Sequence, residues 1–224
     1  YIQRQMASST VENYLKAILH LEEPSGSTTV GEIANELGVT SGTVTIMMKQ
    51  LSEQGLVNYQ PRKRLNLMPG GRKEALKVVR RHRLIELFLV QVLKLDWSEV
   101  HEEAEILEHV ISDRLLGRMD KMLGEPTHDP HGDPIPDRDG NLAVVHATPL
   151  AEVGDGDYRV VRVSDDNPDL LGWLNENDLT IGEEFVLTHP NRAAGVLEIA
   201  QKSGSRIQLG VNVAEQVYVE SLKP

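Results

Sequence analysis

The chain reads as a mainly α protein with small β parts. It has a winged helix-turn-helix at its N-terminus, a helical middle and a small C-terminal β-barrel. Three observations predict this. Three short helical patterns are punctuated by Gly38 and Gly55 and followed by a basic hairpin. Two longer helical patterns then fill residues 71–123. Beyond Ala147 the apolar residues fall in five short runs separated by glycine-containing turns. The expected boundaries are 1–72, 73–145 and 146–224.

In chain order, Val11 to Glu23 is expected to form the first helix, with Val11, Leu15, Ile18 and Leu21 near helical spacing and Pro24 ending it. The second has Thr29 as its cap, Val30, Ile33, Ala34 and Leu37 on one face, and Gly38 as its stop. After Val39-Thr40-Ser41, the third runs from about Gly42 to Gln54. Leu56–Tyr59 and Leu65–Leu67 are short strands, with Gln60-Pro61-Arg62-Lys63-Arg64 as a basic tip between them. Long helices are expected from near Gly71 to about Leu93 and from about Trp97 to Leu123. Residues 124–140 lose periodicity and read as loop and linker. The expected strands are Tyr158–Val163, Glu184–Leu187, Gly195–Ile199, Arg206–Leu209 and Val217–Val219, with a short helix at Asp169–Asn175.

Bulk composition excludes several classes. There is no cysteine, so disulfides, thiolate metal sites and cysteine nucleophiles are out. No apolar run is long enough for a membrane span. Tyr1 to Thr10 lacks an apolar core of the signal-peptide kind, and a cytoplasmic location is expected. The net charge of −11 is unevenly spread: residues 1–94 carry 13 basic and 8 acidic side chains, the rest 10 and 26. A basic first part suits a polyanionic partner.

That partner is expected to be double-stranded DNA. The third helix fits a major groove, with Thr40, Ser41, Thr43 and Thr45 facing base edges. Lys49, Arg62, Lys63 and Arg64 offer charge to phosphates. The bland alternative is a trihelical bundle that binds protein.

The second signal is a set of imidazoles and carboxylates at helical spacing. His101, Glu105, Glu108 and His109 follow i, i+4, i+7, i+8, and His82 and Glu86 follow i, i+4. Burying such groups without partners is costly, and a divalent cation compensates them. If the two helices pack together, His82, Glu86 and His101 meet, with Glu105, Glu108 and His109 as a second cluster. The bland alternative is a solvated polar stripe. His128, Asp129, His131 and Asp133 are a competing candidate, read instead as part of a solvated loop. A metallohydrolase is disfavoured, since no nucleophile motif accompanies the cluster. The runner-up is a metal-independent winged-helix regulator or protein-interaction module.

Taken together, Val11-Glu-Asn-Tyr-Leu-Lys-Ala-Ile, Gly55-Leu-Val, Arg81-His-Arg-Leu-Ile-Glu, Val100-His-Glu-Glu-Ala-Glu105, Glu108-His-Val-Ile-Ser-Asp and His131-Gly-Asp-Pro-Ile-Pro resemble the diphtheria toxin repressor family of metal-dependent regulators. The resemblance implies an SH3-like C-terminal domain, a helical dimerisation and metal-binding domain, a homodimer, operator DNA as partner, and no small organic substrate. It implies an ancillary metal site at His82, Glu86 and His101 and a primary site at Glu105, Glu108 and His109. Asn13 falls where the family supplies a first-helix ligand, and Asp165, Asp166 and Asn167 lie where the SH3-like domain lends ligands. Glu105 stands where iron-responsive members carry cysteine, which favours Mn2+; Fe2+, Co2+ and Zn2+ suit the same donor types. Lys16 stands where manganese regulators with paired metals place a glutamate, so two separated sites are expected. The implied function is metal-activated repression of metal-uptake genes, with metal tying the first helix to the dimer core and setting recognition-helix spacing.

Overall fold

The computed structural model describes residues 2–22, 25–143, 147–165, 167–191 and 195–222. They fall in two compact units. One comprises the chain up to His82 with Glu108–Ile111 and Pro136–Asn141; the other comprises Arg83–Leu107, Ser112–Ile135 and the chain from Leu142 onward.

The first unit opens with α1 (Ile2–Glu22), α2 (Val30–Glu36) and α3 (Ser41–Glu53). Each is delimited by local chemistry. Thr29 caps α2 by accepting from the Glu32 amide, and the Glu32 carboxylate accepts from the Thr29 amide. Gly38 takes φ +62 in the turn before α3, where a Cβ would be strained. Leu15, Ile18, Ile33, Val44, Met48 and Leu51 interlock as the core of the three helices. β1 (Val57–Asn58) and β2 (Asn66–Leu67) pair antiparallel as a wing. The buried carboxylate of Glu22 fastens that wing to α1, accepting from the Leu67 amide and pairing with Arg72. α4 (Pro69–Phe88) then begins. A Cβ on its Gly71 would lie 2.1 Å from the Leu56 carbonyl, so only glycine permits the helix to start this close to β1.

The second unit takes up α4 at Arg83 and continues through a π-helical turn, Leu89–Leu93, into α5 (Val100–Leu107) and α6 (Asp113–Met122). The single helix expected from Trp97 to Leu123 is therefore two. Ser112 ends the continuity by capping α6, its hydroxyl accepting from the Leu115 amide. Glu108 and His109 consequently lie in the turn between the helices and not on a helix face.

The rest of this unit is a sheet with two helices, formed by β3 (Thr148–Pro149), β4 (Gly156–Val163), α7 (Pro168–Glu176), β5 (Glu184–Asn191), β6 (Val196–Gln201), β7 (Arg206–Gly210), α8 (Val211–Ala214) and β8 (Val217–Ser221). The strands pair antiparallel in the order β3-β8-β4-β5-β6-β7. Five of them match the expected runs, and β3 is an addition. Leu150, Val160, Leu171, Leu174, Phe185 and Ile199 form its core together with Trp97, whose indole N–H donates to the Leu171 carbonyl. No helix among the described residues is long and apolar enough to cross a membrane.

Candidate metal centres and nucleic-acid interface

Burial draws attention first. Glu108, Glu86 and His131 are all 0% exposed, yet each is polar or charged. Groups of this kind persist in a core only when compensated.

In the first unit Glu108 is the centre. Its Oε2 accepts from His82 Nδ1 at 2.7 Å, and both its oxygens accept from Lys16 Nζ, at 2.9 and 3.1 Å. His109 brings Nε2 to 3.3 Å from Glu108 Oε1. Its other ring nitrogen, Nδ1, donates to Glu12 Oε2 at 2.7 Å, while Glu12 Oε1 accepts from Arg81 at 3.0 Å. Because Glu12 claims Nδ1–H, Nε2 is the ring nitrogen of His109 left to face Glu108. That is the way an outer carboxylate orients a metal-binding imidazole. Asn13 Oδ1 and His109 Nε2 are buried and have no hydrogen-bond partner among the described residues. These orphaned acceptors and the Glu108 carboxylate are oxygen and nitrogen donors that fit a divalent cation.

In the second unit Glu86, His131 and Asp165 each offer a ligand atom within 4.8 Å of the others. His101 Nδ1 lies 3.5 Å from Glu86 and 4.0 Å from Asp165, and its Nε2 is 3.7 Å from Glu105. His131 is held by Trp97, whose ring it stacks on at 5.6 Å and whose carbonyl accepts from His131 Nε2 at 2.9 Å. A carbonyl only accepts, so Nε2 carries the proton and Nδ1 the lone pair; Nδ1 is buried and accepts no hydrogen bond among the described residues. Burial, then the charges of Asp133 and Glu86, push the Asp129 carboxyl well above its usual range. Burial, then Glu86 and Asp133, raise Asp165, against the opposing pull of His131 and His101. Carboxyls raised by burial and by neighbouring carboxylates, even with Arg83 near Asp129 and Arg162 on Asp133, are a donor set that fits a cation.

His131 and Asp129 correct the solvated-loop expectation. Asp129 Oδ1 accepts from the amides of His131 and Asp133, both at 2.9 Å. Gly132 takes φ +89, and a Cβ there would meet the Val161 carbonyl at 2.1 Å. The segment is irregular because it is wired to its surroundings through backbone groups. Glu12 is a further residue that sequence reasoning missed. Of the residues expected from the C-terminal part, Asp165 joins the second cluster. Asn167 instead caps α7, accepting from the Leu170 amide, and Asp166 lies outside the described residues.

On the recognition helix, Ser41 and Thr43 are exposed. Thr40 caps α3, accepting from the Thr43 amide, and the Thr45 hydroxyl donates to the Ser41 carbonyl. Ile46, not among the expected residues, is 62% exposed. Lys49, Arg62, Lys63 and Arg64 are all exposed, and Arg64 is engaged by its own unit, donating to Ser25, Ser27 and the Ser27 carbonyl.

A winged helix with an exposed recognition face, in a chain that also carries two nitrogen–oxygen ligand clusters, defines the class: a DNA-binding regulator with metal-ligand centres. Three family descriptions match in succession: "Iron dependent repressor, N-terminal DNA binding domain" over residues 6–65, "Iron dependent repressor, metal binding and dimerisation domain" over 69–137, and "FeoA domain" over 148–221. The diphtheria toxin repressor of Corynebacterium diphtheriae is 30% identical over 95% of this chain and 97% of its own length. The iron-dependent repressor IdeR of Mycobacterium leprae is 39% identical over 57% of this chain, a match that spans 55% of the relative's length. A solved manganese-dependent transcriptional repressor in complex with manganese superposes with a TM-score of 0.86 at 36% identity, covering 95% of this chain and all of that one. ScaR with bound Zn2+ superposes at 0.76, with 37% identity, 95% of this chain and 99% of that one. The chain belongs to the iron-dependent repressor family, a family of DNA-binding repressors and not of enzymes.

Proposed function

We propose that this chain is a homodimeric, metal-activated repressor that binds operator DNA in the cytoplasm, with Mn2+ as the activating ion and metal-uptake genes as targets. Residues 1–72 read DNA, 73–145 dimerise and hold metal, and 146–224 form the SH3-like domain. The observation that carries the reading is Glu108, wholly buried where Lys16 of α1 and the adjacent His109 meet it, in a unit that also holds the orphaned acceptors of Asn13 and His109. A divalent ion held there supplies positive charge to carboxylates that burial would otherwise disfavour. His109 presents Nε2 because Glu12 holds its Nδ1 proton, and Arg81 holds Glu12. Glu86, His131 and Asp165 form the ancillary set, with His101 beside them.

The preference for Mn2+ rests on Glu105, a hard carboxylate where the family's iron-responsive members carry cysteine. His82 bridges to Glu108 as an orienting residue. Thr43, Ser41 and Ile46 read the major groove, the isoleucine against thymine methyls, and Lys49, Arg62 and Lys63 meet phosphates. Ile106, Leu115 and Met122 are exposed apolar residues on α5 and α6 and suit the dimer face. Metal-coupled ordering of α1 spaces the two recognition helices on a palindromic operator.

The test is calorimetry of Mn2+ and, under anaerobic conditions, Fe2+ with the metal-stripped chain, followed by binding to DNA selected from a random pool. Mn2+ binding tighter than Fe2+, with operator affinity raised by orders of magnitude in its presence, is expected. Operator binding that is equal with and without metal overturns the reading in favour of a metal-independent regulator. Linkage also requires that operator DNA tighten Mn2+ binding by the same factor.

A further inference from the structure

Lys16 lies on the same carboxylate that a cation would take. It reaches Glu108 across 92 residues of sequence and engages both oxygens, at 2.9 and 3.1 Å. Exposed lysine–carboxylate pairs contribute little, but this pair is different in kind. Glu108 is 0% exposed and the Lys16 side chain only 22%. The charges beside it are also matched. Glu12 pairs with Arg81 and Glu108 with Lys16, so the fixed charges of these four side chains cancel.

We propose that Lys16 is a tethered cation that competes with the divalent ion for Glu108 and so sets the metal concentration at which the site fills. The proposal rests on the reading of Glu108 as a metal ligand. With metal scarce, the ammonium compensates the buried carboxylate and keeps the cluster intact. For metal to bind, the ammonium must withdraw, because two cations sharing one carboxylate repel each other. Lysine suits this exchange: its charge is compact and strongly hydrated on a flexible four-carbon stem, and its head retains a path to water. An arginine would hold the carboxylate through a planar two-point fork and be harder to displace. Lys16 thereby weakens metal affinity while stabilising the metal-free protein, two effects of opposite sign from one side chain.

That opposition provides the test. The full-length chain and its Lys16→Met and Lys16→Arg variants are titrated with Mn2+ by calorimetry, and their thermal unfolding is followed in chelator and in saturating Mn2+. Glu108→Gln identifies which of the binding events belongs to this cluster. Lys16→Met should tighten that event by about tenfold or more and lower the Tm in chelator, with the Tm deficit shrinking or reversing in Mn2+. Lys16→Arg should bind Mn2+ no more tightly than the wild type. Should Lys16→Met fail to fold, Lys16→Gln, which keeps a donor without the charge, gives the same comparison. Unchanged or weaker Mn2+ binding in the neutral variants, alongside normal binding by the wild type, overturns the competition and leaves the metal reading intact. Absence of Mn2+ binding to the wild-type cluster overturns both.

Discussion

The two acidic clusters use the same ingredients and neutralise them differently. Around Glu108, the protein supplies its own cations: Lys16 on Glu108 and Arg81 on Glu12, with His82 and His109 completing the shell. Around Glu86, the carboxylates outnumber the cations. Asp129, Asp133 and Asp165 share this region, and the Arg83 guanidinium stands 3.5 Å from Asp129 and 3.4 Å from Asp133. The surplus appears as Asp129 and Asp165 carboxyls held above their usual range by burial and by neighbouring negative charge. A buried carboxylate can be satisfied by a tethered cation, by a proton or by a bound ion, and the two clusters make different choices. The first carries its compensating cations on its own side chains, whereas the second leaves two carboxyls raised by burial and by neighbouring carboxylates.

Substitutions that separate the clusters put this contrast at risk. The largest effect is expected for Glu108→Gln. It removes a ligand and leaves Lys16 beside a neutral amide, so Mn2+ affinity at the first cluster should fall by about a hundredfold or more, at least the loss typical of changes one shell further out. Metal-dependent operator binding should go with it, while the second cluster still titrates in calorimetry. Equal loss at both clusters would erase the distinction between them.

Gly132→Ala attacks the second cluster through its backbone. The added methyl meets the Val161 carbonyl and the residue keeps a left-handed φ. Urea unfolding should show a loss of about 2–3 kcal/mol, and one fewer Mn2+ per chain should bind, with the Glu108 event retained. Full Mn2+ stoichiometry in the folded variant would show that the loop does not position His131.

Arg62→Ala and Lys63→Ala test the wing, in a region remote in sequence from either cluster. Each should weaken operator binding for all sequences alike and reduce the salt slope by about one, with calorimetric Mn2+ binding unchanged. Arg64→Ala, by contrast, should act on stability, because Arg64 is committed to the Ser25–Ser27 turn.

The smallest effect belongs to Glu184 on β5. Hydrogen bonds from Lys202 and Arg159 lower its carboxyl to about 2. A depressed carboxyl adds stability above its unfolded value of about 4.3 and loses it as pH falls through about 2. Glu184→Gln should therefore lower Tm slightly at neutral pH, and the difference from wild type should close between those limits. A difference that persists at the acid end would mean that the side chain acts through packing.

Much of the first unit was legible because its signals are local. The cap at Thr29, the stop at Gly38 and the apolar spacing of α3 each depend on residues within a few positions. Residues that act through distant partners were not legible. Nothing near Glu12 or Lys16 in the sequence shows that Glu12 bonds His109 and Arg81, or that Lys16 bonds Glu108. The helix break after Leu107 had a signal in Ser112-Asp113, a cap signature, but the periodicity ran on across it and hid the stop. Asp129 and His131 sat among prolines and glycines, which mark irregular backbone without saying whether water or protein surrounds it. Here the Trp97 carbonyl and the Val161 backbone decide that they are enclosed.

By itself, then, the sequence determined the kinds of element, their order and the inventory of donors: oxygen and nitrogen with no sulfur, on a chain with a basic front. Helix period, caps and turn residues act over one or two turns, so they are written where they operate. Only the tertiary structure decided which charge faces which. Glu108 meets a lysine from 92 residues away, and Glu86 meets His131 and Asp165. Such pairings are chosen by burial, since a carboxylate removed from water takes whatever compensation the packed chain brings within reach, and no local pattern records what that will be.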